Sequence, residues 1–145
     1  MGLQRINLYL SHVWSHSPQS NKLSDWLFDQ DWKIGEAMLD LRDYSIGPAD
    51  PVRRMENDAA LMREIAERIG RSHVVVVPAG LAPDANARVS QEIETARQLR
   101  RPVLAIDIAE RPRIESCAIR ASADVHCVWN DKALVSRIFG LFREQ

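Results

Sequence analysis

RSHVVVVPAGLAPDANARVSQEIETARQLRR, residues 71–101, decides the fold. Four consecutive valines, Val74 to Val77, are far too few for a membrane span and fit a strand buried on both faces. Turn-forming residues follow (Pro78, Gly80, Pro83, Asp84, Asn86), then a helical pattern over about Ala87–Leu99. Pro102 and a second apolar run, Val103–Ile106, come next. Strand, loop, helix and strand in this order make a right-handed parallel crossover unit.

One carboxylate in that helix is oddly placed. At about 100° per residue, with Val89 at zero, Ile93 falls near about 40°, Ala96 near about −20° and Leu99 near about −80°. Glu92 falls at about −60°, inside this apolar arc, whereas Glu94 (about 140°) and Gln91 (about 200°) take the wet side. The pattern therefore expects Glu92 to point along the sheet-facing stripe, close to the strand ends and to the helix N-terminus. Carboxylates are rarely buried without a partner or a task. The plain structural alternative is a first-turn acid that favours the helix dipole at the edge of the core.

Outward from this unit, the remaining segments repeat the alternation. Ile6–Leu10 (INLYL) is an apolar strand that ends in polar SHVWSHSPQSN, where Ser20 or Asn21 can cap a helix carrying Leu23, Trp26 and Leu27. A loop with Gly35 leads to a second strand near Ala37–Leu41, and RDYSIGPADP (Arg42–Pro51) reads as loop, with Asp50–Pro51 as a helix start. Leu61, Ile65 and Ile69 mark a helix that stops at Gly70. Beyond Asp107 a short helical turn is expected around Ile114–Ala121, then a weaker strand at Val125–Trp129. Asn130 caps a last amphipathic helix with Leu134, Val135, Ile138, Phe139 and Phe142. Five strands alternating with helices predict an α/β fold: a flavodoxin-like open parallel sheet with helices on both faces. Ligands of such sheets sit beyond the carboxyl ends of the strands, at the switch point, where the loops Ser11–Gln19, Arg42–Asp50 and Ala79–Ala87 gather.

The totals narrow the function. A chain of 145 residues predicts a single domain over residues 1–145 with a full core. A formal net charge of −1 and dispersed arginines give no footprint for nucleic acid or an anionic membrane. No signal peptide and no transmembrane run is expected, and two cysteines, Cys117 and Cys127, make no disulfide framework, which together predict a cytoplasmic protein with reduced thiols. His12 and His16 have metal-ligand spacing but lie in a Ser- and Pro-rich loop without a third ligand, so no metal is expected. Ser11 follows a strand without a G-x-S-x-G elbow; its hydroxyl suits a sugar or phosphate better than acyl transfer. Dinucleotide-fold and P-loop glycine patterns are missing, and Ser11–His12 stands where a receiver domain needs acids. Of the four tryptophans, Trp14 alone lies where it can stack on a base.

SHVWS after the first strand, DYSIGPADP after the second, SHVVVVPAG at the third, QEIETAR followed by RPVLAI, and the closing DVHCVWNDKALVSRIF together resemble the TIR-like domain family, including the TIR subunits of Thoeris-type antiphage defence. The resemblance implies an enzyme that cleaves the nicotinamide–ribose bond of NAD, as NAD nucleosidase or ADP-ribosyl cyclase, with NAD as substrate rather than cofactor. Its product would be a cyclic ADP-ribose-type signal for a partner effector. Homo-oligomeric assembly and a phage-derived trigger are also implied. The family's catalytic glutamate falls on Glu92. The segments lining its nucleotide pocket fall on Ser11, His12 and Trp14, and on Asp43, Tyr44 and Ser45. One departure is Arg88, where many catalytic members carry a tryptophan four residues before the glutamate. Two other classes fit the same sheet: a TIR-like assembly module without catalysis, and a deoxyribosyltransferase-like enzyme with a nucleophilic glutamate.

Overall fold

Val74, Val75, Val76 and Val77 have no exposed surface, because the strand they form is sandwiched between two layers of helices. A computed structural model describes residues 3–11, 18–29, 31–45, 58–79, 83–107, 123–128 and 132–145. Its strands are β1 (Leu3–Leu10), β2 (Trp32–Ile34), β3 (Ala37–Asp43), β4 (Val74–Ala79), β5 (Val103–Asp107) and β6 (Val125–Val128). Its helices are α1 (Pro18–Phe28), α2 (Asp58–Gly70), α3 (Pro83–Gln98) and α4 (Lys132–Arg143). The sheet order is β2-β3-β1-β4-β5-β6. The five strands from β3 to β6 are parallel, in the doubly wound order expected of a flavodoxin-like sheet.

Side-chain alternation divides the core. Ile6, Leu8, Leu10, Val74, Val76, Leu104 and Ile106 face α1 and α4, where Leu23, Leu27, Leu134 and Ile138 meet them. Tyr9, Val75, Val77, Val103 and Ala105 face α2 and α3, against Ile65, Ile69, Val89, Ile93 and Ala96. Each valine or leucine buried in this way stabilises the fold by about 1.5–3 kcal/mol before its entropy cost.

Three departures from the expected pattern have physical causes. Trp32–Ile34, where the sequence pattern expects no strand, forms an antiparallel edge strand on β3. A two-residue turn joins the pair, with positive φ (59°) at Gly35 but not at Glu36, as a type II′ hairpin requires. The Trp32 indole N–H fixes this edge by donating to the Leu27 carbonyl at 2.9 Å, and its ring packs edge-on against Trp26. Second, α3 begins at Pro83 rather than near Ala87, since proline suits the first helical turn. Glu92 therefore sits in the middle of α3, well away from its N-terminus, and the dipole explanation for its position fails. Third, Leu99 is 40% exposed although the wheel put it on the apolar arc. The helix ends before it: Arg101 N–H reaches the Ala96 carbonyl and Arg100 N–H the Arg97 carbonyl, with Arg100 at φ 58°. This pair of bonds is a Schellman cap, whose left-handed position is held here by arginine instead of glycine. α1 starts at Pro18 rather than after Ser20, and α2 ends at Gly70 as the pattern expects, its expected start at Asp50–Pro51 lying outside the described residues.

Candidate active site

Parallel pairing of β1 with β3 on one side and with β4 on the other makes the carboxyl end of β1 the point where the chain's winding reverses. Tyr9 in β1 and Ser11, the residue just beyond the strand, project there on one side, two residues apart, toward α3. Glu92 meets them from above. Its side chain is 2% exposed, and Tyr9 and Ser11 have no exposed surface. The Tyr9 hydroxyl donates to Glu92 Oε2 at 2.6 Å, and the Ser11 hydroxyl donates to Oε1. Each oxygen of the carboxylate thus accepts a hydroxyl proton, a charge-assisted arrangement that fixes both its position and its plane. A carboxylate oxygen has a second lone pair, so accepting from Tyr9 or Ser11 leaves acceptor capacity for a further donor. Glu92 and Tyr9 each make a further interaction beyond these bonds.

The wheel's other assignments agree with the structure: Val89, Ile93 and Ala96 are buried, and Gln91 and Glu94 are exposed. Arg88 is also exposed.

The strand end itself is held by backbone. Ser11 N–H donates to the Val76 carbonyl at 2.9 Å, and Tyr44 N–H to the Leu8 carbonyl at 2.8 Å. Leu10 N–H donates to Ser45 Oγ at 3.0 Å. Asp43, which is exposed, accepts the Ser45 N–H at 2.9 Å and so closes a tight side-chain turn. Of the residues expected at the site, Ser11 and Glu92 are brought into direct contact. Asp43, Tyr44 and Ser45 border the end of β1 without a described bond to Glu92. His12, Trp14 and His16, the proposed helix starts at Asp50 and Asn130, the turn around Ile114–Ala121 and Cys117 lie outside the described residues.

Tyr9 was not anticipated: within INLYL it reads as one more apolar strand residue. Its signal is chemical. A buried tyrosine hydroxyl needs a partner, and alternation puts Tyr9 on the face of Ser11.

No group of three or more potential metal ligands occurs among the described residues, and no described helix is long and apolar enough to cross a membrane. A shallow cavity of about 340 Å3 lies at the opposite, amino edge of the sheet, lined among others by Arg97, Arg100, Arg101, Asp124 and Glu144. The carboxyl ends of α3 and α4 converge there, and arginines at such ends offset the negative pole of the helix dipole. Nearby, burial and then the Arg101 guanidinium hold the His73 pKa below the usual histidine value.

The model of the TIR-like domain of the Thoeris protein ThsB matches residues 9–113, a span that holds Tyr9, Ser11, the 43–45 turn and Glu92. Among curated proteins none matches the sequence. A solved structure of the CMP N-glycosidase BcmB from Clostridium botulinum superposes with a TM-score of 0.48 at 10% identity, over 93% of this chain and 98% of that one. A likeness of that degree says nothing about chemistry.

Proposed function

The chain belongs to the TIR-like domain family of the Thoeris protein ThsB, and from that premise we propose that it cleaves the nicotinamide–ribose bond of NAD in an antiphage role, with Glu92 as the reacting carboxylate. One observation carries the reading: a buried acid at the switch point whose two oxygens are both held by hydroxyls, of Tyr9 in β1 and of Ser11 just beyond it. Such an acid is preorganised, and preorganised charge is what stabilises a developing cation without reorganisation cost.

The chemistry follows from the substrate's own charge. The C1′–N bond breaks with its electron pair going to the pyridinium nitrogen, so nicotinamide departs neutral and no general acid is required. The ribose carbon left behind has oxocarbenium character, as in glycoside cleavage. The Glu92 carboxylate stabilises that centre electrostatically, accepts from a ribose hydroxyl, or adds to C1′ as a transient ester. Water that attacks C1′ and gives up a proton yields ADP-ribose. An adenosine hydroxyl or ring nitrogen that attacks instead yields a cyclic isomer, the form suited to a signal for a partner effector. A lone carboxylate suffices here, whereas an ordinary glycoside needs a second group to protonate its leaving oxygen. The first-strand loop, with His12 and Trp14, and the 43–45 turn would flank the nucleotide.

The test is release of free nicotinamide from NAD by the purified chain. It is run at high protein concentration with a crowding agent, with and without lysate from infected cells, and the nucleotide products are identified by mass and retention time. Nicotinamide release with an ADP-ribose isomer supports the reading. Intact NAD under every condition favours a non-catalytic assembly module, and free base from deoxynucleosides with NAD untouched favours a deoxyribosyltransferase-like enzyme.

A further inference from the structure

The ladder between β1 and β3 stops one step short of the site. Its last bond runs from Tyr44 N–H to the Leu8 carbonyl. In a regular parallel ladder the next would run from Leu10 N–H to the Tyr44 carbonyl. Leu10 N–H goes instead to Ser45 Oγ, so a side-chain hydroxyl replaces the strand carbonyl as the chain turns away beyond Asp43. Ser45 is itself held from two directions. Its N–H donates to Asp43 Oδ1, and its carbonyl accepts from Arg68 Nη1 of α2 at 3.1 Å. Arg68 is braced in turn by Glu64, one helical turn back, at 2.9 Å. On the other side of β1, Ser11 N–H is tied to Val76 of β4.

We infer that Ser45 is a positioning residue, kept in place by Arg68, which acts through Leu10 to hold Ser11 against Glu92. Leu10 is 2% exposed, so its N–H has little access to water. Without the Ser45 hydroxyl it becomes a buried donor lacking its acceptor, and the strand end shifts to recover one. Ser11 is the next residue, and its hydroxyl is one of the two that orient the carboxylate. The catalytic weight of this clamp rests on Glu92 being the reacting group; the clamp itself does not.

The full-length chain carrying Ser45→Ala, Ser45→Thr or Arg68→Gln tests it with two independent readouts. Amide exchange followed by NMR reports the clamp. In Ser45→Ala the Leu10 amide exchanges about tenfold or more faster while β5 amides keep wild-type protection, and Ser45→Thr restores it, since threonine keeps the hydroxyl. Nicotinamide release reports the chemistry: kcat falls about tenfold in Ser45→Ala with KM for NAD changed much less, and Arg68→Gln falls between it and wild type. Wild-type protection at Leu10 in Ser45→Ala overturns the inference, as does an unprotected Leu10 with unchanged kcat. A wild-type protein that releases no nicotinamide removes the role assigned to Glu92, while exchange at Leu10 still decides whether Ser45 holds the strand end.

Discussion

The Tyr9 hydroxyl donates to Glu92 Oε2 over 2.6 Å, from a tyrosine with no exposed surface. Tyr9→Phe keeps the ring and its packing and removes the hydroxyl, and this bond with it. Loss of a hydrogen bond to a buried carboxylate lowers stability by about 1.5–3 kcal/mol, to be measured by denaturant unfolding. With Glu92 as the reacting group, as proposed, NAD cleavage falls by about tenfold to a hundredfold, because the carboxylate loses one of the bonds that position it.

At the carboxyl end of α3, Arg100 occupies the left-handed position of the Schellman cap at φ 58°. Glycine adopts that backbone without the strain a Cβ imposes. Arg100→Gly is expected to stabilise the protein by about 0.5–1 kcal/mol, a rise of a few degrees in the thermal midpoint. Calorimetry checks it. NAD cleavage should not change, since Arg100 lies at the sheet edge opposite Glu92.

His73 makes stability depend on pH. Its Nδ1 accepts the Asn7 N–H at 2.8 Å, and its ring packs edge-on against Phe142, so the neutral form is the one accommodated. Burial and Arg101 hold its folded pKa below the unfolded value. Below about pH 6.5 the unfolded chain therefore binds the proton more readily, and stability falls as pH drops from about 7 toward the lowered folded pKa. His73→Gln removes this titration. Comparing denaturation midpoints of the two proteins across that range should show the wild-type curve falling more steeply.

Much of this arrangement was legible in the residues, for reasons that differ by element. The valine run and the apolar steps of α2 and α4 are long and strongly periodic, so the doubly wound order followed from them. Glu92 stood out because a charge inside an apolar arc contradicts the pattern around it. Tyr9 was hidden for the opposite reason: it agrees with its pattern, and only the need of its hydroxyl for a partner betrays it. The edge strand at Trp32–Ile34 is three residues long, too short for a period to declare itself, and depends on a tertiary bond from Trp32 to Leu27. The Ser45 contact is likewise tertiary, since nothing near DYS indicates that its hydroxyl replaces a strand carbonyl.

The most direct measurement is nicotinamide release from NAD by Glu92→Gln beside wild type, with thermal unfolding of both. Glutamine preserves the shape of the side chain and removes its charge. The account predicts a folded variant whose cleavage is lost by a factor of about a thousand or more, the order expected when charge at the reacting centre is removed. A folded Glu92→Gln protein that releases nicotinamide at the wild-type rate would contradict it.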